Sequence, residues 1–371
     1  MNMKRTLLLA LGLLLAAFTL SAQQEPAKAD GYRYVDAATL PVFGKVADNT
    51  AMRYSRLPAS LKGVTRGPVW SLGLNSAGVY VRFRTDSPSI RLRWKSLNSH
   101  YMNHMSPTGD RGLDLYIHDV KQWRFAGSGR PAKTAVTDVC SVRNMEPGMK
   151  ECMVHLSLYD GVEALEIGIE EGTLIEGPAL DSPSTRKPVI MYGTSILQGG
   201  CVTRPGMAFT HIIARRLDRE VINLGFSGNA HLDPEIAQWM AAAEDPGVFV
   251  LDNAPNCTAE RIEERTEAFF RILRDAHPKV PVIFVEQTPY PFQAFDLKER
   301  ETLAKKAAVQ RAVFERIVRS GEKNVYYVKA DRMLGPEGDD TVDGTHLTDL
   351  GAVHYADLLT PVIKKALKKN R

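Results

Sequence analysis

The sequence predicts an N-terminal β-sandwich followed by an α/β domain that is built on a parallel sheet. Residues 78–97, GVYVRFRTDSPSIRLRWKSL, alternate apolar and polar side chains on both sides of a Ser-Pro-Ser turn. Such alternation is typical of antiparallel strands with one buried face. From about residue 188 onwards, short apolar runs alternate with amphipathic segments, which predicts parallel strands with helices on both faces. A chain of 371 residues is also longer than one average core requires.

The first part continues this period-two pattern through the segments LDLYIHD, KQWRFAG and MVHLSLYDGVEALEIGIEEG. No long amphipathic pattern interrupts these segments, and short strands at regular spacing indicate a sandwich with a jelly-roll-like arrangement. The polar, Pro-containing segment that follows, LDSPSTRKP, is typical of a linker. We therefore predict a β-sandwich domain over 23–180, a linker over 181–187 and an α/β domain over 188–371.

In the second part, the sequence predicts five buried strands with helices between them. The strands are VIMYG, EVINLG, VFVLD, VPVIFVE and NVYYVK, and the segments MAFTHIIARRLDR, AERIEERTEAFFRILRDAH and LKERETLAKKAAVQRAVFERIVRSG are predicted helices. A last helix follows HLTDLG. In sheets of this class, the reactive loops lie at the carboxyl ends of the strands.

The first 22 residues predict a signal peptide rather than part of the fold. A basic start is followed by an apolar stretch and by small residues at Ser21 and Ala22, where we expect cleavage. No other stretch is long and apolar enough to span a membrane. The net charge of +4 is small, and Lys4 and Arg5 contribute to it within this leader. This small charge argues against nucleic acid or an anionic membrane as partner. The leader predicts export to the periplasm or beyond.

Four cysteines, Cys140, Cys152, Cys201 and Cys257, remain in the exported protein. Export permits disulfides, and four cysteines allow three complete pairings, among which the sequence does not choose. No pair of cysteines or histidines has the spacing of a zinc site. We therefore expect no metal site.

Chemically useful side chains follow the strands of the second part. Ser195 comes two residues after the Gly that ends the first strand, and Asp343 and His346 lie in the loop DGTHLTDLG before the last helix. A serine hydroxyl is a weak nucleophile unless a base takes its proton. His346 can be that base, and Asp343, three residues earlier, can accept its Nδ1–H. Each motif alone is also a common turn, but the order of the motifs at successive strand ends predicts one nucleophilic site.

A tetrahedral intermediate at Ser195 needs hydrogen-bond donors for its oxyanion. We expect them to be the N–H of Ser195, the N–H of Gly225 in NLGFSGN, and an Asn side chain from LDNAPNC. At position 225 a side chain is expected to crowd the oxyanion. Asn253 and Asn256 are both candidates for the third donor.

The blocks YGTSILQGG, NLGFSGN, DNAPN and DGTHLTDLG resemble the four blocks of the SGNH (GDSL-type) hydrolases. The resemblance implies a flavodoxin-like three-layer α/β/α domain, ester hydrolysis through an acyl-enzyme, and no cofactor. It also implies Ser195 as nucleophile, Gly225 as the second oxyanion donor, and Asp343 and His346 as the rest of the triad. The third block departs from the usual Gly-x-Asn-Asp, and its Pro-Asn favours Asn256 over Asn253.

The stretch RGLDLYIHD contains Gly112, Asp114, Leu115 and Tyr116. It resembles the Gly-x-Asp-Leu-Tyr marker of an exported bacterial subgroup with an N-terminal β domain. The resemblance implies a substrate of short acyl esters, above all acetyl, on a polysaccharide or oligosaccharide. A lipase or lysophospholipase is the alternative enzyme, and a non-catalytic glycan-binding protein is the alternative outside enzymes. Arg204 and Tyr116 are candidate substrate-binding residues.

Overall fold

The computed structural model describes residues 31–370, and the predicted signal peptide over 1–22 lies outside them. Two antiparallel sheets come first along the chain, and a parallel sheet flanked by helices follows. This arrangement is the predicted order of an antiparallel β part and an α/β part, so the predicted fold class is confirmed.

Ten strands and two short helices form the first half. The strands are β1 (Tyr32–Asp36), β2 (Val42–Phe43), β3 (Tyr80–Thr85), β4 (Ile90–Ser96), β5 (Leu113–His118), β6 (Trp123–Gly129), β7 (Val136–Val142), β8 (Lys150–His155), β9 (Val162–Glu170) and β10 (Ile175–Glu176), and the helices are α1 (Gly67–Gly73) and α2 (Pro107–Arg111). One sheet has the order β1-β9-β4-β7, and the other has the order β10-β3-β8-β5-β6 with β2 beside β3.

A single apolar core lies between these two sheets. Val81 and Phe83 of β3 point into it from one sheet, and Ile90, Leu92 and Trp94 of β4 point into it from the other. These side chains are two positions apart because successive residues of a strand face opposite sides. The alternation in the sequence therefore does become a two-sheet sandwich.

The second half consists of β11 (Ser184–Gly193), α3 (Ser195–Gln198), α4 (Phe209–Leu217), β12 (Arg219–Gly225), α5 (Pro234–Ala241), β13 (Val248–Asp252), α6 (Ala259–Ala276), β14 (Val282–Val285), α7 (Leu297–Arg319), β15 (Val325–Val328) and α8 (Asp349–Lys369). The five strands are parallel and have the order β12-β11-β13-β14-β15. This is the flavodoxin-like order 2-1-3-4-5. β11 begins at Ser184, so the sheet takes in part of the segment that we expected to be a linker.

Alternate side chains of β11 pack against helices on opposite faces of the sheet. Val189 and Met191 share a core with α4 and α8, whereas Ile190 and Tyr192 share a core with α5, α6 and α7. β11 is also an inner strand, and its last residue, Gly193, is level with Gly225 of β12 and Asp252 of β13. The loops that follow these three strands therefore begin side by side.

The first half completes both cores of the second. Leu57 and Val69 belong to the core beneath α5 and α6, and Leu158 and Tyr159 belong to the core beneath α4 and α8. Hydrogen bonds also cross the junction: the N–H of Gly44 donates to the buried carboxyl of Glu220 at 2.7 Å. The two halves are thus packed as one body. Within residues 31–370, no helix has the length and hydropathy needed to cross a membrane.

We expect Glu220 to make the stability of the protein depend on pH. Burial raises its pKa to about 7 from 4.5, although the N–H of Gly44 opposes the shift. Between these values the folded state binds the proton more tightly than the unfolded state, so stability is lost as pH rises through the window. Glu220→Gln keeps an acceptor for Gly44 and cannot ionise. Its gain in unfolding free energy over wild type should be about 2 kcal/mol larger at pH 8 than at pH 5.

Urea unfolding at the two pH values measures this difference. Glu171→Gln, at an exposed position of the first half, is the control and should shift both values equally. The same gain at pH 5 and pH 8 in Glu220→Gln would contradict the prediction.

Candidate active site

Ser195 lies at the start of α3, directly after the carboxyl end of β11. Thr194 caps this turn, because its hydroxyl accepts a hydrogen bond from the N–H of Ile196 at 3.2 Å. The Ser195 hydroxyl lies 2.8 Å from Nε2 of His346. Ser195 is buried and is the first residue of α3, so the strand and the helix on either side fix the position of its hydroxyl.

Asp343 accepts three hydrogen bonds from its own loop. Its Oδ2 lies 2.7 Å from Nδ1 of His346, and its Oδ1 accepts from the N–H groups of Thr345 and His346 at 3.0 and 2.8 Å. Partial burial raises the pKa of the carboxyl, but the bonds from His346 and Thr345 outweigh it and lower the pKa below its usual value. Asp343 is therefore held as a carboxylate.

The backbone fixes the loop that carries this pair. Val342 donates to the carbonyl of His346 at 2.8 Å, and Leu347 exchanges hydrogen bonds with Gly200 and Cys201 at 3.2 and 3.1 Å. With Asp343 on Nδ1, the neutral imidazole carries its proton there and leaves Nε2 as an acceptor for the Ser195 hydroxyl. The arrangement can take a proton from Ser195 as the hydroxyl attacks an electrophile.

Asn256 and Asn253 differ in whether their amide groups are free. Oδ1 of Asn256 accepts from the N–H of Ala230 at 3.2 Å, which leaves its Nδ2 without an acceptor among the described residues. Nδ2 of Asn253 contacts Sγ of Cys257 at 3.5 Å, and this side chain is buried. The expected order, Asn256 before Asn253, therefore agrees with which amide is available as a donor.

The expected role of the Gly225 N–H as an oxyanion donor needs a correction. Its N–H donates to Oδ1 of Asn223 at 2.9 Å, so this group is engaged within the strand end. A side chain at 225 would lie 2.3 Å from the backbone nitrogen of Gln198. Glycine is therefore required for the close approach of α3, rather than for an oxyanion.

Gly228, three residues later in the same block, is a candidate donor that our sequence analysis did not consider. It is exposed and has a φ of +66°, and among the described residues its N–H has no acceptor. The N–H of Ser227 beside it donates to Oε1 of Gln198 at 3.0 Å, which ties this turn to α3. In the sequence, the second Gly of NLGFSGN was the available signal for this donor. The choice between Gly225 and Gly228 required the position of the Asn223 side chain, which only the structure gives.

Arg204 and Tyr116, the candidate substrate-binding residues, instead bind each other at the junction of the two halves. Nη1 of Arg204 donates to Oδ2 of Asp114 and to the hydroxyl of Tyr116, both at 2.8 Å. Asp114 is fully buried and also accepts from the N–H of Gly206 at 2.8 Å. The assignment to substrate is corrected: the Asp-Leu-Tyr motif holds the segment that follows the nucleophile.

His104 of the first half reaches the loop of Asp343 and His346. Its ring lies 5.5 Å from the ring of His346, and its Nε2 lies 3.9 Å from Oδ2 of Asp343. Donor atoms of His104, Cys201 and His346 lie within 4.8 Å of one another, and no other such group occurs in the part of the chain described. The cysteine and histidine spacing does not reveal this cluster, because its members come from three separate segments. All four cysteines are free thiols.

A thiophilic cation should inhibit any reaction that depends on His346. Imidazole and thiolate are preferred zinc ligands, and a cation bound to a ring nitrogen of His346 would stop this imidazole from acting as the base for Ser195. We expect Zn²⁺ to inhibit the ester hydrolysis that the sequence resemblance implies, and a chelator to restore it. Cys201→Ser should raise the inhibitory zinc concentration at least about tenfold, because it replaces the thiolate ligand.

Initial rates on p-nitrophenyl acetate across a zinc titration measure this effect. Cys140→Ser, on the first half and outside the cluster, is the matched control. Equal zinc sensitivity of wild type and Cys201→Ser would show that zinc inhibits from another place.

The chain matches two family models and several solved structures. Residues 186–364 match the GDSL-like lipase/acylhydrolase family, and residues 32–175 match the GxDLY family, the N-terminus of SGNH-hydrolase-type esterases. A Bacteroides ovatus protein described as a GDSL-like lipase has 33% sequence identity and a TM-score of 0.86, with 91% of this chain and 98% of that one covered. No curated protein sequence matches the chain at a significant level.

Two more distant structures share the fold. A salicylyl-acyltransferase from a tetracycline biosynthetic pathway has 20% identity and a TM-score of 0.74 over 91% of this chain and 98% of its own. A family two carbohydrate esterase from Cellvibrio japonicus has 14% identity and a TM-score of 0.58 over 92% and 99%. With the two family matches and the Bacteroides relative, the resemblance predicted from the four blocks is confirmed: the chain belongs to the GDSL-like (SGNH) lipase/acylhydrolase family and is an ester hydrolase.

Proposed function

We propose that the protein is an exported serine esterase that removes short acyl groups, above all acetyl, from carbohydrate. The observation that carries the catalytic part is the hydrogen-bonded chain from Ser195 Oγ to His346 Nε2, at 2.8 Å, and from His346 Nδ1 to Asp343, at 2.7 Å. The first distance is within the hydrogen-bond reach of a general base, and the second lets Asp343 hold the imidazole in the tautomer that leaves Nε2 free to accept the proton. Export rests on the predicted leader over 1–22.

In the first step, Ser195 Oγ attacks the ester carbonyl while His346 takes the hydroxyl proton. Asp343 stabilises the imidazolium that forms. The oxyanion accepts hydrogen bonds from the N–H of Ser195, the N–H of Gly228 and Nδ2 of Asn256. His346 then gives its proton to the departing sugar hydroxyl, and an acyl-Ser195 ester remains.

In the second step, water attacks the acyl carbon, and His346 takes a proton from that water. The same three donors hold the second oxyanion. Collapse of this intermediate returns the proton to Ser195 and releases the carboxylic acid. All the proton transfers pass through Nε2 of His346, so no cofactor is required.

Support for a carbohydrate substrate comes from outside the triad. The Cellvibrio japonicus structure with the same fold is a carbohydrate esterase. The predicted leader directs this protein to the periplasm or the extracellular space, where polysaccharides are available as substrates. The Bacteroides ovatus relative is described as a lipase, so an acylhydrolase for longer chains is the second candidate. The chain length of the acyl group therefore has to be measured directly.

Acetate release should depend on Ser195. We expect mature protein to release acetate from acetylated xylan or pectin, and to prefer acetyl among p-nitrophenyl esters of rising chain length. Ser195→Ala should lower kcat on the order of 10⁵-fold, because the nucleophile and its base act as one unit. Ser71→Ala, at an exposed position of the first half, should match wild type.

Three results would contradict parts of this proposal. Activity confined to long acyl esters would assign the protein to the lipase class. Esterase activity that survives in Ser195→Ala would remove the nucleophile assignment. Glycan binding without turnover of any ester would indicate that the protein is a glycan-binding protein and not an enzyme.

Asn256→Ala should lower kcat by about 10²–10³-fold, because one oxyanion donor is worth this much in acyl transfer. KM for p-nitrophenyl acetate should change little, since the bond forms with the developing charge and not with the ground state. Asn253→Ala is the matched control and should retain most of the wild-type kcat. A larger loss of kcat in the Asn253 variant, with thermal stability equal to that of Asn256→Ala, would move the donor to Asn253.

A further inference from the structure

A wide groove lies beside the catalytic loop, between residues 286–307 and residues 330–338. Its volume is about 1100 Å³, which is above the usual range for a site that holds one small ligand. Ala304, Ala307 and Leu334 contribute to its apolar lining, and it is open to solvent along its length. None of the triad residues lines it.

The rim of this groove carries aromatic rings that are unusually exposed. Phe295 is 90% exposed and Phe292 is 39% exposed, and Phe292 stacks on Tyr290 with the ring centroids 5.5 Å apart. A large apolar side chain left in water contributes nothing to the core, and a cluster of them marks a binding surface. In this structure, no described residue covers the ring of Phe295.

Hydrogen bonds hold the backbone that carries these rings. Phe295 follows a short 3-10 helix over Pro291–Ala294, and its N–H donates to the carbonyl of Phe292 at 2.9 Å. Asp296 caps α7 directly after it, since Oδ1 of Asp296 accepts from the N–H of Glu299 at 3.0 Å. The backbone of the platform is therefore already ordered, so a ligand has to order only the side chains.

The groove runs up to the loop that carries Asp343 and His346. The ring of Phe292 packs against Gly344, where an added Cβ would lie 2.7 Å from its Cδ1. Gly344 has a φ of +86° and directly follows Asp343. Phe292, which lines the groove, therefore contacts the residue that directly follows Asp343 in the catalytic loop.

An open groove with rings at its rim suits sugar better than an acyl chain. A fatty acyl chain gains binding energy from burial in an enclosed apolar tunnel, and a solvent-open groove leaves much of its surface wet. Pyranose rings have apolar faces that stack on aromatic rings while their hydroxyls stay hydrated. The charges along the groove have both signs, with Arg300, Asp331 and Glu337 among the lining residues, so a neutral chain fits better than a polyanion.

We propose that this groove binds the neutral sugar rings that flank the esterified residue of an acylated polysaccharide, with Phe295 and Phe292 as the stacking platform. The inference rests on the proposed function, because it assigns the chain that carries the scissile ester. It makes the enzyme specific for polymers, since short esters reach Ser195 without touching the platform.

The test compares long and short substrates in Phe295→Ala and Phe292→Ala. The measured quantity is the ratio of kcat/KM on acetylated xylohexaose to kcat/KM on p-nitrophenyl acetate. Each variant should lower this ratio about tenfold, the factor that corresponds to 1.4 kcal/mol of lost stacking. Leu174→Ala removes an exposed apolar side chain from the first half and should leave the ratio unchanged.

A binding measurement separates this inference from the proposed function. Acetylated xylohexaose is titrated into Ser195→Ala and into the Ser195→Ala/Phe295→Ala double variant by calorimetry, where no turnover occurs. Weaker binding by the double variant supports the groove, even if the natural ester proves to be another. An unchanged ratio together with unchanged binding overturns the groove assignment while Ser195-dependent esterase activity stands. A loss confined to p-nitrophenyl decanoate overturns it in favour of an acyl site.

Discussion

The guanidinium of Arg56 is the contact on which the arrangement of the two halves depends. It is fully buried and has no carboxylate partner among residues 31–370; instead it donates to the carbonyl groups of Leu72, Asn75, Asn223 and Gly225. Burial lowers its pKa to about 9, and its face lies over the ring of Phe226 at 5.1 Å. The carbonyl groups at the end of α1 and the end of β12 have no further helix or strand to bond to. The guanidinium of Arg56, from the first half, thus supplies hydrogen bonds to the carbonyl groups at the end of β12. The turn that contains Gly228 follows directly after this strand.

Other residues of the first half support the nucleophile in the same way. The hydroxyl of Tyr159 donates to the carbonyl of Ser195 at 3.1 Å, and Nε2 of Gln198 donates to the carbonyl of Leu158 at 3.0 Å. Gly78 lies so close to Asn223 that a Cβ there would be 2.5 Å from the Cβ of Asn223. Asn223 in turn holds the N–H of Gly225. The sandwich is therefore part of the structure that shapes α3 and the neighbouring turn, and not an appended module.

The features of the structure that the sequence predicted correctly are those that depend on local periodicity and on the order of the strands. The five parallel strands follow from short apolar runs, and the meeting of Ser195 with the loop of Asp343 and His346 follows because carboxyl ends share one edge. Contacts between distant segments were not predictable, since no period links Arg204 to Asp114 or Arg56 to β12. The role of Gly225 was misassigned for the same reason: whether its N–H is free depends on the Asn223 side chain and on α3. The short helix α5 was also missed, and its Pro-Glu start after Asp233 was the available signal.

The loop over 341–347 contacts both the segment that follows α3 and the ring of Phe292. On one side it exchanges backbone hydrogen bonds with Gly200 and Cys201, just after α3, so His346 keeps its distance to Ser195. On the other side Gly344 packs on Phe292, which lines the groove. A residue bulkier than glycine at 344 would need both a positive φ and the space that the Phe292 ring occupies. Because one short loop meets both constraints, the backbone that positions His346 against Ser195 is the backbone that the Phe292 ring contacts.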